Sequence, residues 1–292
     1  MRQAIVGVVT FSLFQAGRFF ARAARVFYHL AAGTLTVDRL RLGIERNWED
    51  YSAGDADIAA GLMRWEEEMI ARFVARGDDV LLVGSGSGRD LVALVSGGYH
   101  VTAIEPARRA VANCRRQLEK RGLTADVIEG FFEDVALPRR FDVIFFSGCC
   151  YDFIPESRRR IAALRKAAAH LAPRGRILIN YMTTPSGHPL WIQLARFAAA
   201  VTRSDWRPER GDVILPVGPP RPLFHYEHPF GPGELEAEAL AAGLRAIHHC
   251  NLSSASVIVF ESSTVDPSAD CADGRGLVQP EAHSGAVAKR PV

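Results

Sequence analysis

The sequence predicts an α/β fold in which a mostly parallel β-sheet carries helices on both faces. Two observations support this prediction: apolar runs typical of strands alternate with amphipathic runs typical of helices, and a glycine-rich stretch follows the first strand-like run directly. The strand-like runs, in chain order, are VLLV, VTAI, DVIE, DVIFF, RILIN, LRAIHHC and SVIVFE. Helices between them are predicted by apolar residues three or four positions apart, as in Ala107, Val111, Cys114 and Leu118 and in Ile161, Leu164, Ala168 and Leu171.

The composition is that of a globular protein with nearly balanced charge. The chain has 292 residues, of which 48% are hydrophobic, enough for one large domain or for one domain with appendages. A net charge of +2 argues against a nucleic-acid surface across the whole protein. The 5 cysteines are odd in number and form no CxxC pair, which predicts neither a disulfide framework nor a zinc site and favours a reducing, cytoplasmic setting.

The sequence pattern near the start of the chain predicts an amphipathic helix rather than a transmembrane helix. The apolar run that begins at Ala4 is interrupted by Arg18, Arg22 and Arg25, so it is shorter than the roughly 18 residues that a transmembrane helix needs. A helix over residues 14–30 would carry these arginines on one side and phenylalanines elsewhere. Two interpretations stay open: the helix packs on the main domain, or it makes a peripheral contact with an anionic membrane.

Composition also divides the chain into three parts. Residues 1–65 are predicted to be a helical N-terminal extension or lid, and residues 66–262 the main domain. Within the domain, the stretch of about residues 182–232 is longer than a simple helix crossover, which predicts either a cap over a pocket or a surface insertion with no role in selectivity. Residues 263–292 contain no aromatic residue and are rich in Ser, Ala, Asp, Gly and Pro, which predicts a disordered tail.

The glycine-rich stretch GSGSG predicts a binding loop. Gly84, Gly86 and Gly88 have the spacing G-x-G-x-G, and Arg89 occupies the third-glycine position of the dinucleotide fingerprint, which argues against NAD or FAD. The next strand ends in Glu105, 21 residues after Gly84, where a carboxylate can accept hydrogen bonds from both hydroxyls of a ribose. The two features together predict a ligand that contains ribose.

With these motifs, the chain resembles the class I S-adenosylmethionine-dependent methyltransferases over about residues 45–262. The segment IEGFFEDVALPRRFDVIFF resembles their third strand, adenine-contacting turn and fourth strand. AAAHLAPRGRILI resembles their L-x-P-G-G turn and fifth strand, and ELEAEALAAGLRAI the helix and strand before the last strand. The resemblance implies a Rossmann-like, doubly wound, mostly parallel seven-stranded sheet with an antiparallel last strand, S-adenosyl-L-methionine as cofactor, and methyl transfer to a small-molecule acceptor.

The resemblance also implies site residues, with the glycine loop at the methionine end of the cofactor, Glu105 on its ribose and the turn after the third strand on its adenine. The residues so implied are Gly84, Ser85, Gly86, Gly88, Glu105, Phe132, Glu133, Ser147 and Tyr51. Tyr51 either covers the cofactor or packs a lid helix. Two positions depart from the family pattern: Leu82 stands where many members have an acid that anchors the amino group, and Phe131 replaces the common Asp of the adenine turn.

A general base is optional for methyl transfer, because nitrogen and thiol acceptors often need none. For a hydroxyl or carbon acceptor, the candidates are Tyr151, Asp152, His188, His225 and His228, each with an alternative structural role. The sequence SGCC, after the fourth strand, lacks the motifs of enzymes that methylate nucleic-acid bases and argues against a covalent role for Cys149 or Cys150. The expected acceptor is a small molecule, and the alternative is a catalytically inactive cofactor-binding protein that acts as a partner or regulator.

Overall fold

The computed structural model describes residues 2–49, 54–183, 189–217, 223–252 and 255–263. The nine strands are β1 (Asp79–Val83), β2 (His100–Glu105), β3 (Asp126–Glu129), β4 (Phe141–Phe146), β5 (Leu171–Met182), β6 (Val213–Val217), β7 (Leu223–Glu227), β8 (Leu244–Asn251) and β9 (Ala255–Ser262), counted in the described part of the chain. Seven of them form one sheet in the order β3-β2-β1-β4-β5-β9-β8, and β6 pairs with β7. The strands β1 to β5 are parallel, and β9 is antiparallel to its neighbours, which confirms the predicted sheet.

Both faces of the sheet are covered by helices, because successive side chains of a strand point to opposite faces and both sets are apolar here. Leu81 and Ile144 belong to the core on one face, and Leu82 and Phe145 to the core on the other. The first face packs against α7 (Ser157–Ala169) and α9 (Glu234–Ala241), the second against α4 (Arg64–Phe73), α5 (Arg89–Ser96) and α6 (Arg108–Lys120). Leu82, one of the two departures from the family pattern, is therefore a core residue.

The N-terminal extension and the long insertion pack against each other. The extension forms α1 (Arg2–Gly33), α2 (Val37–Glu49) and α3 (Asp55–Ala60), and the insertion forms α8 (Pro189–Thr202) and the β6–β7 hairpin. Helix α8 packs against the last turns of α1, and β7 packs against α2. Leu40 of α2 shares a small buried cluster with Trp206 and Tyr226. The hairpin thus packs directly against α2.

The predicted domain boundaries stay predictions. The boundary between residues 65 and 66 falls inside α4, which begins at Arg64. Tyr51, His188 and the tail from residue 264 onward lie outside the described residues.

Candidate cofactor and active site

Three loops meet at the carboxyl edge of the sheet, where β1, β2 and β4 end side by side. The strand order reverses between β1 and β4, which is the place where ligands bind in open α/β sheets. A cavity of about 1330 Å³ opens there, lined by residues of all three loops. Most sites for one small molecule measure about 300–1,000 Å³, so this cavity has room for more than one ligand.

The glycine loop adopts a backbone that favours glycine at each of its three glycines. The φ angles of Gly84, Gly86 and Gly88 are +78°, +51° and +99°, a region that L-residues rarely adopt. A Cβ on Gly84 would lie 2.7 Å from the Cβ of Cys150, so this glycine lets two loops approach each other. A Cβ on Gly86 would meet no atom within 4 Å, and Gly86 lines the cavity. Gly88 packs against Cys114 instead of lining the cavity.

Glu105 lies at the end of β2 with its carboxylate held by the backbone. One oxygen accepts a hydrogen bond from the Gly86 N–H at 2.8 Å, and the other from the Ala107 N–H at 2.9 Å. Burial raises the pKa of Glu105 to about 7, although the two backbone hydrogen bonds oppose the shift. A carboxylate has about four acceptor positions, so two remain for a ligand in the cavity.

Asp90 supplies a buried carboxylate that the sequence analysis missed. It lies in the first turn of α5 and lines the cavity, where it accepts hydrogen bonds from the Ser147 hydroxyl and from Nε of Arg89. Arg89 also lines the cavity and donates to Glu66 at 2.6 Å. An acid and a guanidinium side by side have the charges that match the ammonium and carboxylate groups of an amino acid. The sequence feature that could have indicated Asp90 is its position directly after the glycine loop, two residues beyond Gly88.

The turn after β3 is clamped from two sides. Phe132 is buried at the cavity wall, and its carbonyl accepts a hydrogen bond from Nζ of Lys166 at 2.6 Å. Glu133 accepts from Arg41 of α2 at 3.0 Å. The same guanidinium stacks over the ring of Phe131, 4.8 Å from its centroid. Phe131, the second departure from the family pattern, thus helps to attach α2 to the turn.

The outer wall of the cavity is mostly apolar and comes mainly from the N-terminal extension. Ile44 and Trp48 of α2 line it together with Phe153, which follows β4. From the insertion of residues 182–232, only Met182 lines the cavity among the described residues. The extension therefore supplies most of the outer wall, and β7 of the insertion contacts α2.

Two of the five general-base candidates, Tyr151 and His228, lie away from the cavity in a buried network. Tyr151 donates its hydroxyl hydrogen bond to Glu238 at 3.1 Å, and Arg160 pairs with the same carboxylate at 2.8 Å. His228 pairs through its two ring nitrogens with Asp212 at 2.7 Å and Glu234 at 3.1 Å. All of these groups are satisfied by one another, which is typical of a structural network.

The charges in this network oppose catalysis by either side chain. Burial alone would lower the pKa of His228, but the hydrogen bonds to Asp212 and Glu234 raise it to about 9. The ring is therefore protonated at neutral pH and cannot accept a proton. Glu209, Asp212 and His228 lie close enough together to hold a metal ion, but a protonated His228 that pairs with Asp212 is not a metal ligand. Burial and the charge of Glu238 raise the pKa of Tyr151 well above its usual value.

Two further general-base candidates, His225 and Asp152, also do not line the cavity. His225 lies behind the cavity wall, where it contacts the ring of Phe153, and Asp152 is fully buried with a pKa that burial raises. Burial also raises the pKa of both Cys149 and Cys150, so neither is a thiolate nucleophile.

The fold and the site together define a doubly wound α/β domain with a ligand cavity at the switch point of its sheet. Residues 80–175 match a family model described as a methyltransferase domain. The match confirms, for this segment, the predicted resemblance to the class I S-adenosylmethionine-dependent methyltransferases.

Relatives are similar over parts of the chain. A cypemycin N-terminal methyltransferase from a Streptomyces species is 32% identical over 123 residues, which are 41% of this chain, and the match spans about half of that relative, 47% of its length. The CcbJ methyltransferase from Streptomyces caelestis is similar in structure with a TM-score of 0.52 and 17% identity, over 73% of this chain and 92% of that one. A methyltransferase from Methanosarcina mazei gives a TM-score of 0.54 and 17% identity, over 69% and 98% of the two chains.

Proposed function

We propose that this protein transfers a methyl group from S-adenosylmethionine to a small-molecule acceptor. The observation that carries the proposal is one continuous cavity with two unlike walls. The inner wall holds the glycine loop and the Glu105 carboxylate, and the outer wall is mostly apolar, with Trp48, Phe153 and Met182. The inner wall fits an adenosyl cofactor and the outer wall an apolar or amphipathic acceptor.

The residues present fit the cofactor group by group. Glu105 has acceptor positions left for two ribose hydroxyls, and the open space at Gly86 admits the ligand next to the backbone. Asp90 and Arg89 match the ammonium and carboxylate of the methionine moiety and take over the anchoring that Leu82 cannot provide. The turn at Phe132 lies where adenine is expected by the family resemblance.

In the proposed reaction, the protein contributes by aligning the two reactants and by excluding water from the site. The cofactor, when bound, supplies a methyl group that its sulfonium already activates. The loop of Gly84 and helix α2 would hold both reactants from opposite walls of the cavity, and Trp48 would shield them from water.

The lining favours an acceptor nitrogen. Among the described residues, no His or Tyr lines the cavity, and each carboxylate on its wall already accepts a hydrogen bond from an arginine or a backbone N–H. An amine needs no base to generate its lone pair once it is neutral, whereas a hydroxyl depends on one. The partial relative named as an N-terminal methyltransferase also acts, by its name, on an amino terminus.

Methyl transfer tests the proposal. The full chain is incubated with methyl-labelled S-adenosylmethionine and separate pools of small amines, phenols and alcohols, and the label in each pool is counted. We expect transfer into the amine pool. Label in the phenol or alcohol pool would contradict the nitrogen assignment. Cofactor binding without transfer to any pool would support the alternative of a catalytically inactive binding protein.

Asp90→Asn is expected to separate the two ends of the cofactor. Asparagine keeps a partner for Ser147 but removes the charge, so the affinity for S-adenosylhomocysteine should fall by about tenfold or more. Binding of 5′-methylthioadenosine, which lacks the amino-acid part, should stay the same. Glu105→Gln is the matched variant, since it should weaken both ligands. Equal losses of the two ligands in Asp90→Asn, measured by calorimetry, would remove Asp90 from the site.

A further inference from the structure

Helix α1 carries an apolar stripe that the described residues leave uncovered. Val6, Val9, Leu13, Phe20 and Phe27 are between 51% and 69% exposed. At 3.6 residues per turn, these five side chains fall within an arc of about 60° and extend over about 32 Å of helix. Helix α8 packs against another side of α1, through the ring of His29 stacked on Trp191 and through Ala195 at Gly33. From Val6 to Arg22, every side chain that the structure describes is exposed.

The charge on this helix has one sign. The 32 residues of α1 include four arginines and no Asp or Glu. Arg18, Arg22 and Arg25 lie on the side opposite the stripe and form no ion pair with any residue in the described ranges. Exposed cations and exposed phenylalanines on one element predict a partner that is both anionic and apolar.

A second copy of this chain does not fit that description. Two α1 helices paired through their stripes would leave Arg18, Arg22 and Arg25 on the outer sides of the pair without a counter-charge, because α1 contains no acidic residue. A groove in another protein fits poorly as well, because Phe11 and Phe14, on the arginine side of the helix, are also exposed, by 63% and 62%. Acyl chains and lipid phosphates together accommodate such a helix.

Helix α8 adds a second apolar stripe next to α1. Leu190, Phe197 and Val201 are 64% to 66% exposed and lie on one side of α8, opposite its buried alanines. The segment after α8 carries the exposed arginines Arg203 and Arg207. The pair of packed helices therefore repeats the combination of exposed apolar side chains and cations.

We propose that α1 and α8 dock this protein onto an anionic lipid membrane. The stripe of α1 lies at the boundary of the acyl chains, and its arginines bind lipid phosphates. The contact is peripheral: none of the helices in the described part of the chain has the length and apolar character that crossing a bilayer requires. This proposal is independent of the methyl acceptor, because α1 lines no part of the cavity among the described residues.

Vesicle sedimentation tests the proposal. We expect the full chain to sediment with phosphatidylcholine vesicles that contain phosphatidylserine at low salt, and to be released by high salt, because surface attraction is screened. The variant with Arg18→Glu, Arg22→Glu and Arg25→Glu should bind about a hundredfold more weakly or not at all. The variant with Phe20→Gln and Phe27→Gln should lose at least about tenfold, because it removes the apolar contact.

The controls separate the membrane from other partners. Leu240→Gln changes an equally exposed apolar residue, 71% exposed on α9, and should sediment like the wild type. All variants should keep the wild-type affinity for S-adenosylhomocysteine and the wild-type circular dichroism. The proposal is overturned if the wild type stays in the supernatant at low salt, if it binds neutral vesicles equally well, or if the phenylalanine variant dissolves a dimer that sedimentation velocity detects without vesicles.

Discussion

Gly86→Val is expected to reduce the affinity for S-adenosylmethionine more than a hundredfold while the protein stays folded. The Cβ of residue 86 points into open space at the cavity wall, so a valine side chain would occupy the ligand's path without a clash in the protein itself. The backbone at φ +51° is unfavourable for a β-branched residue, which costs about 1–2 kcal/mol of stability. That cost is smaller than the stability of a typical domain.

The matched control for this change is Gly122→Val. Gly122 follows α6, has a φ of +64° and also has no atom within 4 Å of its Cβ, but it lies outside the cavity. Both variants should lose similar stability in thermal unfolding, and only Gly86→Val should lose binding in calorimetry. Normal binding by the Gly86 variant would make the loop an ordinary turn.

The affinity for S-adenosylhomocysteine is expected to rise about tenfold between pH 6 and pH 8. Burial raises the pKa of Glu105 to about 7, so roughly a tenth of this carboxyl is ionised at pH 6 and nine-tenths at pH 8. The ionised form accepts the ribose hydrogen bonds, and binding therefore lowers the pKa of Glu105. Affinity accordingly falls below pH 7 and levels off above pH 8.

Glu105→Gln assigns this pH dependence to one group. The amide cannot ionise and gains weaker hydrogen bonds, so the affinity should drop about ten- to a hundredfold and become independent of pH. Glu66 is the other carboxyl to exclude: burial and the charge of Asp90 raise its pKa to about 7 as well, but it pairs with Arg89 rather than lining the cavity. A slope that persists in Glu105→Gln would move the titration to Glu66.

The sequence alone was sufficient to predict the sheet and the type of domain. Seven apolar runs and the order of the glycine loop, acid and later turns were enough for the sheet, its antiparallel last strand and the methyltransferase domain. Gly86 and Glu105 come together from short range, since both belong to loops at the ends of adjacent parallel strands. The spacing between these two residues in the sequence was therefore enough to predict that they lie together.

The chain's own sequence determined the parts that depend on local periodicity, while the tertiary structure decided which side chains from distant segments meet. Tyr151 and His228 follow strands toward the carboxyl edge, yet both are drawn into a buried network with partners up to 87 residues away in the chain. Asp90 reaches Ser147 across 57 residues, and Arg41 reaches Glu133 across 92. The free energy of burying a charge depends on the partner that the fold supplies, and no spacing along the chain reveals that partner.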